Sequence, residues 1–172
     1  IEAIDQLLVL PDDDLRKDFP LKVYQTGSGT QTNMNTNEVV ANLAKRLNPD
    51  VTVLPNDDVN KGQSSNDVYP TAMNIVAVEA LDQLLPAVQH LIDELKAKQE
   101  QYWHVVKVGR THLQDATPLT FGQEVSGYVA ALEHDRDYLK QLQPTLLELA
   151  IGGTAVGTGL NAAPGMPEKI AE

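Results

Sequence analysis

From Thr120 to Ala150 the side chains Val125, Val129, Leu132, Leu139, Leu142, Leu146 and Leu149 recur every three or four residues, which is the spacing of one face of a helix. A helix of that length measures about 45 Å, well beyond the few turns of an ordinary globular helix. Left bare, its stripe would form a large apolar patch, so it requires partner helices laid along it, as in a bundle. A chain of 172 residues is too short to cover such a helix alone. Oligomeric burial is the consequence.

A second helical pattern runs from Ser65 to about Tyr102, with Ala72, Ile75, Val76, Leu84, Val88, Leu91 and Leu95 on the stripe and a break or kink expected at Pro86. Earlier elements are shorter. Ile4, Leu7 and Leu8 predict a helix end stopped by Pro11 and Asp12-Asp13-Asp14, and Phe19–Tyr24 reads as a short strand or extended arm. From about Asn33 a helix carries Val40, Leu43, Ala44 and Leu47 and is closed by Asn48-Pro49. Residues 50–64 are polar and read as a connecting loop with a short helical turn. The expected fold class is all-α, with minor short strands and a long-helix bundle. No repeat of 20 to 50 residues is visible, which sets solenoids aside.

Lys+Arg number 13 against 24 Asp+Glu, a net charge of −11. With no basic tract or arm, a nucleic-acid partner is not expected, and neither is a membrane, since no apolar run approaches the roughly 18 residues a spanning helix needs. Cysteine is absent, which removes disulfides, thiolate chemistry and Cys-based metal sites, and permits a reducing, cytoplasmic setting. The chain opens Ile1-Glu2-Ala3-Ile4 and is expected to be a portion of something longer.

The reactive side chains concentrate in Val108-Gly109-Arg110-Thr111-His112-Leu113-Gln114-Asp115-Ala116-Thr117-Pro118. Val105–Val108 has strand character, Gly109 reads as a breaker, and Thr117-Pro118 as an N-cap with proline at the first helical position. His112 therefore falls in a short turn beside Arg110, Thr111 and Asp115. Histidine changes charge near neutrality, which suits general acid/base work; a surface histidine is the competing reading. Three polar clusters, Ser28-Gly29-Thr30, Ser64-Ser65-Asn66 and Thr111-His112, each precede a predicted helix. Unpaired N–H groups and the helix dipole attract anions at such places, so an acidic chain can still bind an acid. The same residues are also ordinary N-caps.

Other motifs carry less. Gly157–Ala162 fits G-x-G-x-x-A but follows a helix, not a strand, and the P-loop spacing from Gly152 has Thr158 where lysine belongs. His90, His104 and His134 lack metal-ligand spacing and read as surface or packing residues. Met73 and Trp103 read as core or interface filler.

Gly109–Thr120 resembles a signature segment of the class II fumarases, within the fumarase/aspartase superfamily. Gly27–Glu38, Asn56–Asp67 and Gly152–Asn161 resemble further stretches of the same family, in the same order. The resemblance implies reversible hydration of fumarate to L-malate, a step of the tricarboxylic acid cycle, without metal or organic cofactor. It implies a homotetramer whose active sites draw on several subunits. Within it, 1–64 corresponds to the remainder of a small N-terminal helical domain and 65–172 to the first part of the central helical bundle. By the same resemblance, Ser28, Gly29, Thr30, Ser64, Ser65, Asn66 and Thr111 hold the substrate carboxylates, and His112 takes part in proton transfer at the hydroxyl side.

Two departures from the family pattern stand out. Leu54 occupies the place of a histidine before Pro55-Asn56-Asp57, a possible second carboxylate site that is expected to be weakened. The family's third signature, a Gly-Ser-Ser loop supplying a serine base and a lysine, is absent, and Met166-Pro167-Glu168-Lys169 only echoes its end. The alternatives are an aspartate ammonia-lyase of the same superfamily and a non-catalytic structural bundle.

Overall fold

The computed structural model describes residues 1–22, 24 and 29–172. It is mostly helical with one small sheet: α1 (Glu2–Leu8), α2 (Asp12–Asp18), α3 (Thr30–Leu47), a π-helical turn (Pro55–Val59), α4 (Ser65–Gln101), β1 (Val106–Thr111), β2 (Gln114–Thr120), α5 (Phe121–Leu146) and α6 (Met166–Ala171). Two compact units are present, residues 1–74 with 149–172, and residues 75–148.

In the first unit α1 packs on α3 through Ala3, Leu7 and Ala41, all buried. The acidic run expected to end a helix instead starts one. Asp12, Asp13 and Asp14 occupy the first turn of α2 and Arg16 and Lys17 its last, each charge facing the helix-dipole end that stabilises it. Phe19–Lys22 forms no strand, and Val23 lies outside the described residues. The short turn expected in 50–64 is the π-helical turn at Pro55–Val59.

The second unit is an antiparallel helical hairpin. On α4, Leu81, Leu85, Val88, Ile92, Leu95 and Gln99 are buried or half-buried, alternating four and three residues apart; α5 answers with Gly122, Val125, Val129, Leu132, Arg136, Leu139, Gln143 and Leu146. That is a 3.5-residue period, the seam of a coiled-coil-like pair. Ile92 is wholly buried and Val129 5% exposed. Polar pairs flank the seam in register: Gln143 Nε2 donates to Asp82 Oδ1 (3.3 Å), Arg136 Nη1 to Gln89 Oε1 (2.7 Å), and Lys96 pairs with Glu133 (2.5 Å). At the hairpin's closed end Gly122 is obligatory, because a Cβ there would lie 2.6 Å from Trp103 Cα and 2.7 Å from the Gln99 carbonyl.

Four expectations need correction here. α4 runs unbroken through Pro86, since a long packed helix tolerates the loss of one backbone bond. Within α4 an 18-residue window reaches a mean hydropathy of 1.3, so by length and composition this helix is apolar enough to cross a membrane; part of its apolar surface forms the seam and part is exposed. Gly109 does not break the strand. It sits inside β1 at a register shift where two residues of β2 oppose it, and a side chain there would strike the Thr117 carbonyl at 2.5 Å, the geometry of a bulge. Thr117 and Pro118 lie in β2, not at a helix start. The true N-cap is Thr120, whose Oγ1 accepts from Gln123 N (3.1 Å) while Gln123 Oε1 accepts from Thr120 N (2.9 Å), a reciprocal capping box that outcompetes Thr117.

Met73 and Trp103, expected as core or interface filler, are exposed in this chain at 58% and 43%. His90, His104 and His134 are exposed as expected.

Candidate active site

Two of the three polar clusters do stand at helix starts, and the first unit brings them side by side. Gly29 is the N-cap of α3 at φ +73°, and a Cβ on it would fall 2.2 Å from the Tyr69 ring on α4. One turn further along α3, Asn33 Nδ2 donates to Ser65 Oγ at 3.1 Å. These contacts pair 29 with 69 and 33 with 65, so the first turns of α3 and α4 overlap antiparallel, each N-terminus lying one turn along from the other and facing the opposite way. Ser28 lies outside the described residues.

Beneath this pair is an amide network. Asn60 Oδ1 accepts from Asn33 Nδ2 and from Asn37 Nδ2, both at 3.1 Å, and Asn60 Nδ2 donates to the Gln63 carbonyl (3.3 Å). Gln63 Nε2 in turn donates to the Val59 carbonyl (3.1 Å). Asn33 and Asn37 are 7% exposed, and buried amides that are fully engaged hold their geometry firmly. Ser64 caps α4, accepting from Asn66 N at 3.2 Å. Both serine oxygens therefore accept from the protein, and each hydroxyl keeps one hydrogen to donate.

A buried carboxylate, Asp67, completes this corner. At 3% exposure it accepts from the backbone N–H of Thr154 at 2.7 Å, so the glycine-rich stretch is fastened to the first turn of α4. That stretch changes direction repeatedly, with positive φ at Gly152, Thr154, Gly157, Gly159 and Asn161. Gly62 meets it, its missing Cβ lying 3.0 Å from the Asn161 carbonyl. The same stretch forms turns with no preceding strand, which removes the dinucleotide spacing from consideration.

Thr111 and His112 belong to the second unit, and here the third cluster departs from expectation. They precede a strand, not a helix. Thr111 pairs with Gln114 across a two-residue hairpin turn whose central residues, His112 and Leu113, take φ +50° and +62°. Positive φ at both positions is the I′ turn that matches strand twist. Histidine tolerates this region, whereas leucine is strained there by about 1–2 kcal/mol. Leu113 is 96% exposed, so no packing of its side chain offsets the strain. Arg110 Nε and Asp115 Oδ1 pair across the strands at 3.3 Å while 65% and 75% exposed, a contact worth little. The hairpin's base is firmer: Lys107 Nζ contacts Glu124 (2.5 Å) and lies 4.9 Å above the Phe121 ring.

Sequence reasoning passed over Asn33, Asn37, Asn60 and Asp67 as individual residues. The signal for the first two was available, two amides spaced i, i+4 on the same helix face as its apolar stripe. At Pro55–Asp57, Asp58 Oδ2 accepts from Leu54 N at 2.7 Å, and Asn56 Nδ2 donates to Asp57 Oδ1 at 3.3 Å. A groove of about 860 Å³ in the same unit is lined mainly by apolar side chains such as Leu7, Phe19 and Val68, with Arg16, Asn33 and Asn37 also on its wall. Among the described residues no group of three or more His, Asp or Glu side chains is placed to hold a metal ion.

A family model described as lyase matches residues 1–172. The fumarate hydratase class II of Myxococcus xanthus is 57% identical over 178 residues, covering 100% of this chain and 38% of that protein. That of Nitrosomonas europaea is 58% identical over 160 residues, covering 90% of the chain and 35% of its own length. Among solved structures, the class II fumarase of Schistosoma mansoni superposes with a TM-score of 0.77 at 51% identity, covering 90% of this chain and 33% of that one. The chain thus spans well under half the length of the relatives it matches.

Proposed function

Because the chain belongs to the lyase family, we propose that the protein of which it forms part is a fumarate hydratase of class II, interconverting fumarate and L-malate. One observation carries this: Ser65 Oγ accepts a hydrogen bond from buried Asn33 at 3.1 Å. Its own hydrogen is then available to a carboxylate at the start of α4. We assign Gly29, Thr30, Ser64 and Asn66 to the same carboxylate as neutral donors, so a dianion is held by hydrogen bonds with few full charges. Ser28, next in sequence, is assigned to the same carboxylate.

Removing a proton from malate beside its carboxylate builds an aci-carboxylate, and donors already in place stabilise that charge as it develops. His112 and Thr111 act at the hydroxyl carbon, with the imidazole moving the proton that accompanies loss or gain of water. The carbon base and a cationic lysine come from a segment outside these 172 residues. We assign the donor groups of unit 1 and the hairpin of unit 2 to sites completed by other copies, in a cytoplasmic homotetramer. The stretch Pro55-Asn56-Asp57 is assigned at most weak carboxylate binding, since Leu54 brings no polar side chain and the Asp58 carboxylate already occupies the Leu54 N–H.

An aspartate ammonia-lyase is the second reading. The test is turnover by the full-length protein, followed through fumarate absorbance with L-malate and L-aspartate as parallel substrates. Turnover of malate supports the hydratase; release of fumarate from aspartate alone moves the protein to the ammonia-lyases; turnover of neither supports a structural bundle.

A further inference from the structure

Asp67 is the most buried charged side chain in unit 1, at 3% exposure, and it has no role in the chemistry above. It occupies the third residue of α4, directly after Ser65-Asn66. An acidic group there ordinarily folds back onto its own helix start as half of a capping box. Here its carboxylate reaches across 87 positions of sequence to the Thr154 N–H, at 2.7 Å. Thr154 itself is held at φ +59°, a conformation a threonine keeps only when its surroundings impose it.

Two more buried polar atoms, Thr71 Oγ1 one helical turn along α4 and Thr154 Oγ1 on the loop, have no hydrogen-bond partner. Burying hydroxyls unpaired costs free energy. The corner is thus assembled at some cost, with the Asp67 to Thr154 bond tying the loop to the α4 turn that follows Ser64, Ser65 and Asn66.

We infer that Asp67 is a positioning residue for substrate binding: by accepting the Thr154 N–H it locks the glycine-rich stretch against the start of α4 and so sets the serine and asparagine donors at the carboxylate site. This rests on the hydratase reading. Any acceptor of the same length that reaches Thr154 N should serve, so the position needs a carbonyl-type oxygen at a fixed distance more than it needs a charge.

The test uses the full-length protein and steady-state kinetics with fumarate, at a temperature where circular dichroism shows each variant folded. Asp67→Ala is expected to raise KM about tenfold with kcat changed less than about threefold, and Asp67→Asn to restore KM to within about threefold of the parent. Should the alanine variant not fold, Asp67→Glu decides: an added methylene in so tight a corner displaces the loop, and KM should rise at least about fivefold although the charge is kept. Loss of thermal stability in the folded variants without any change in KM would overturn the inference, as would an asparagine variant no better than alanine. An inactive parent protein would instead refute the hydratase reading and this inference with it.

Discussion

Asn33 Nδ2 lies 3.1 Å from Ser65 Oγ although 32 positions separate them in sequence, and this single bond sets the polarity of the serine hydroxyl. The same amide group also donates to Asn60, so one buried residue organises both the helix start and the loop before it. Asn33→Leu in the full-length protein should lower kcat/KM for fumarate about 5- to 150-fold through the lost ~1–3 kcal/mol of a buried hydrogen bond. Steady-state kinetics checks it, and an unchanged kcat/KM would mean that Ser65 is oriented by something else.

The His112 turn makes a conformational prediction. Leu113 holds φ +62° with its side chain 96% exposed, so it gains nothing from packing to offset the backbone strain. Leu113→Asn should stabilise the protein by about 1 kcal/mol, since asparagine is at home in both positions of an I′ turn. Thermal unfolding measures this; a lowered midpoint would show that the turn is not of this type.

Paired glycines test the helical hairpin. Gly122 meets Trp103 and the Gln99 carbonyl within 3 Å, whereas Gly127 on the same helix has nothing within 4 Å of its missing Cβ. Gly122→Ala should destabilise by about 1–3 kcal/mol through overpacking. Gly127→Ala should stabilise by about 0.5–1 kcal/mol through helix propensity. Denaturant unfolding of both variants separates the two effects, and equal outcomes would contradict the seam described.

How much of this was legible in the sequence follows from the range of the interactions. The long helices were readable because Val125, Val129, Leu132 and Leu139 declare their spacing locally. The carry of α4 through Pro86, by contrast, depends on packing along a seam that no local rule reports. Thr117-Pro118 imitated a helix start well, and lost to Thr120 because Gln123 closes a reciprocal cap and because strand pairing with β1 claims residues 118–120. The serine clusters were readable as anion-attracting caps. What orients them was not, since Asn33, Asn60 and Asp67 act on partners brought near by folding. Ser28 lies outside the described residues, so its expected part in the site rests on sequence alone.

Association is the next expectation. Met73, Ile75, Val76, Leu84 and Leu91 leave α4 with apolar side chains 46% to 62% exposed, a surface that favours cover by further helices. Sedimentation of the full-length protein should give a tetramer, and a well-folded monomer at micromolar concentration would contradict the proposed assembly.

The most direct test of the central claim is the turnover number of full-length His112→Asn, with fumarate hydration followed by absorbance. Asparagine suits the positive φ of the turn, so the hairpin should persist while the proton-transferring imidazole is lost. A fall in kcat of about 10²- to 10⁴-fold with a smaller change in KM is expected from removing a positioned acid–base group. An unchanged kcat would contradict the assignment of His112 to the chemistry.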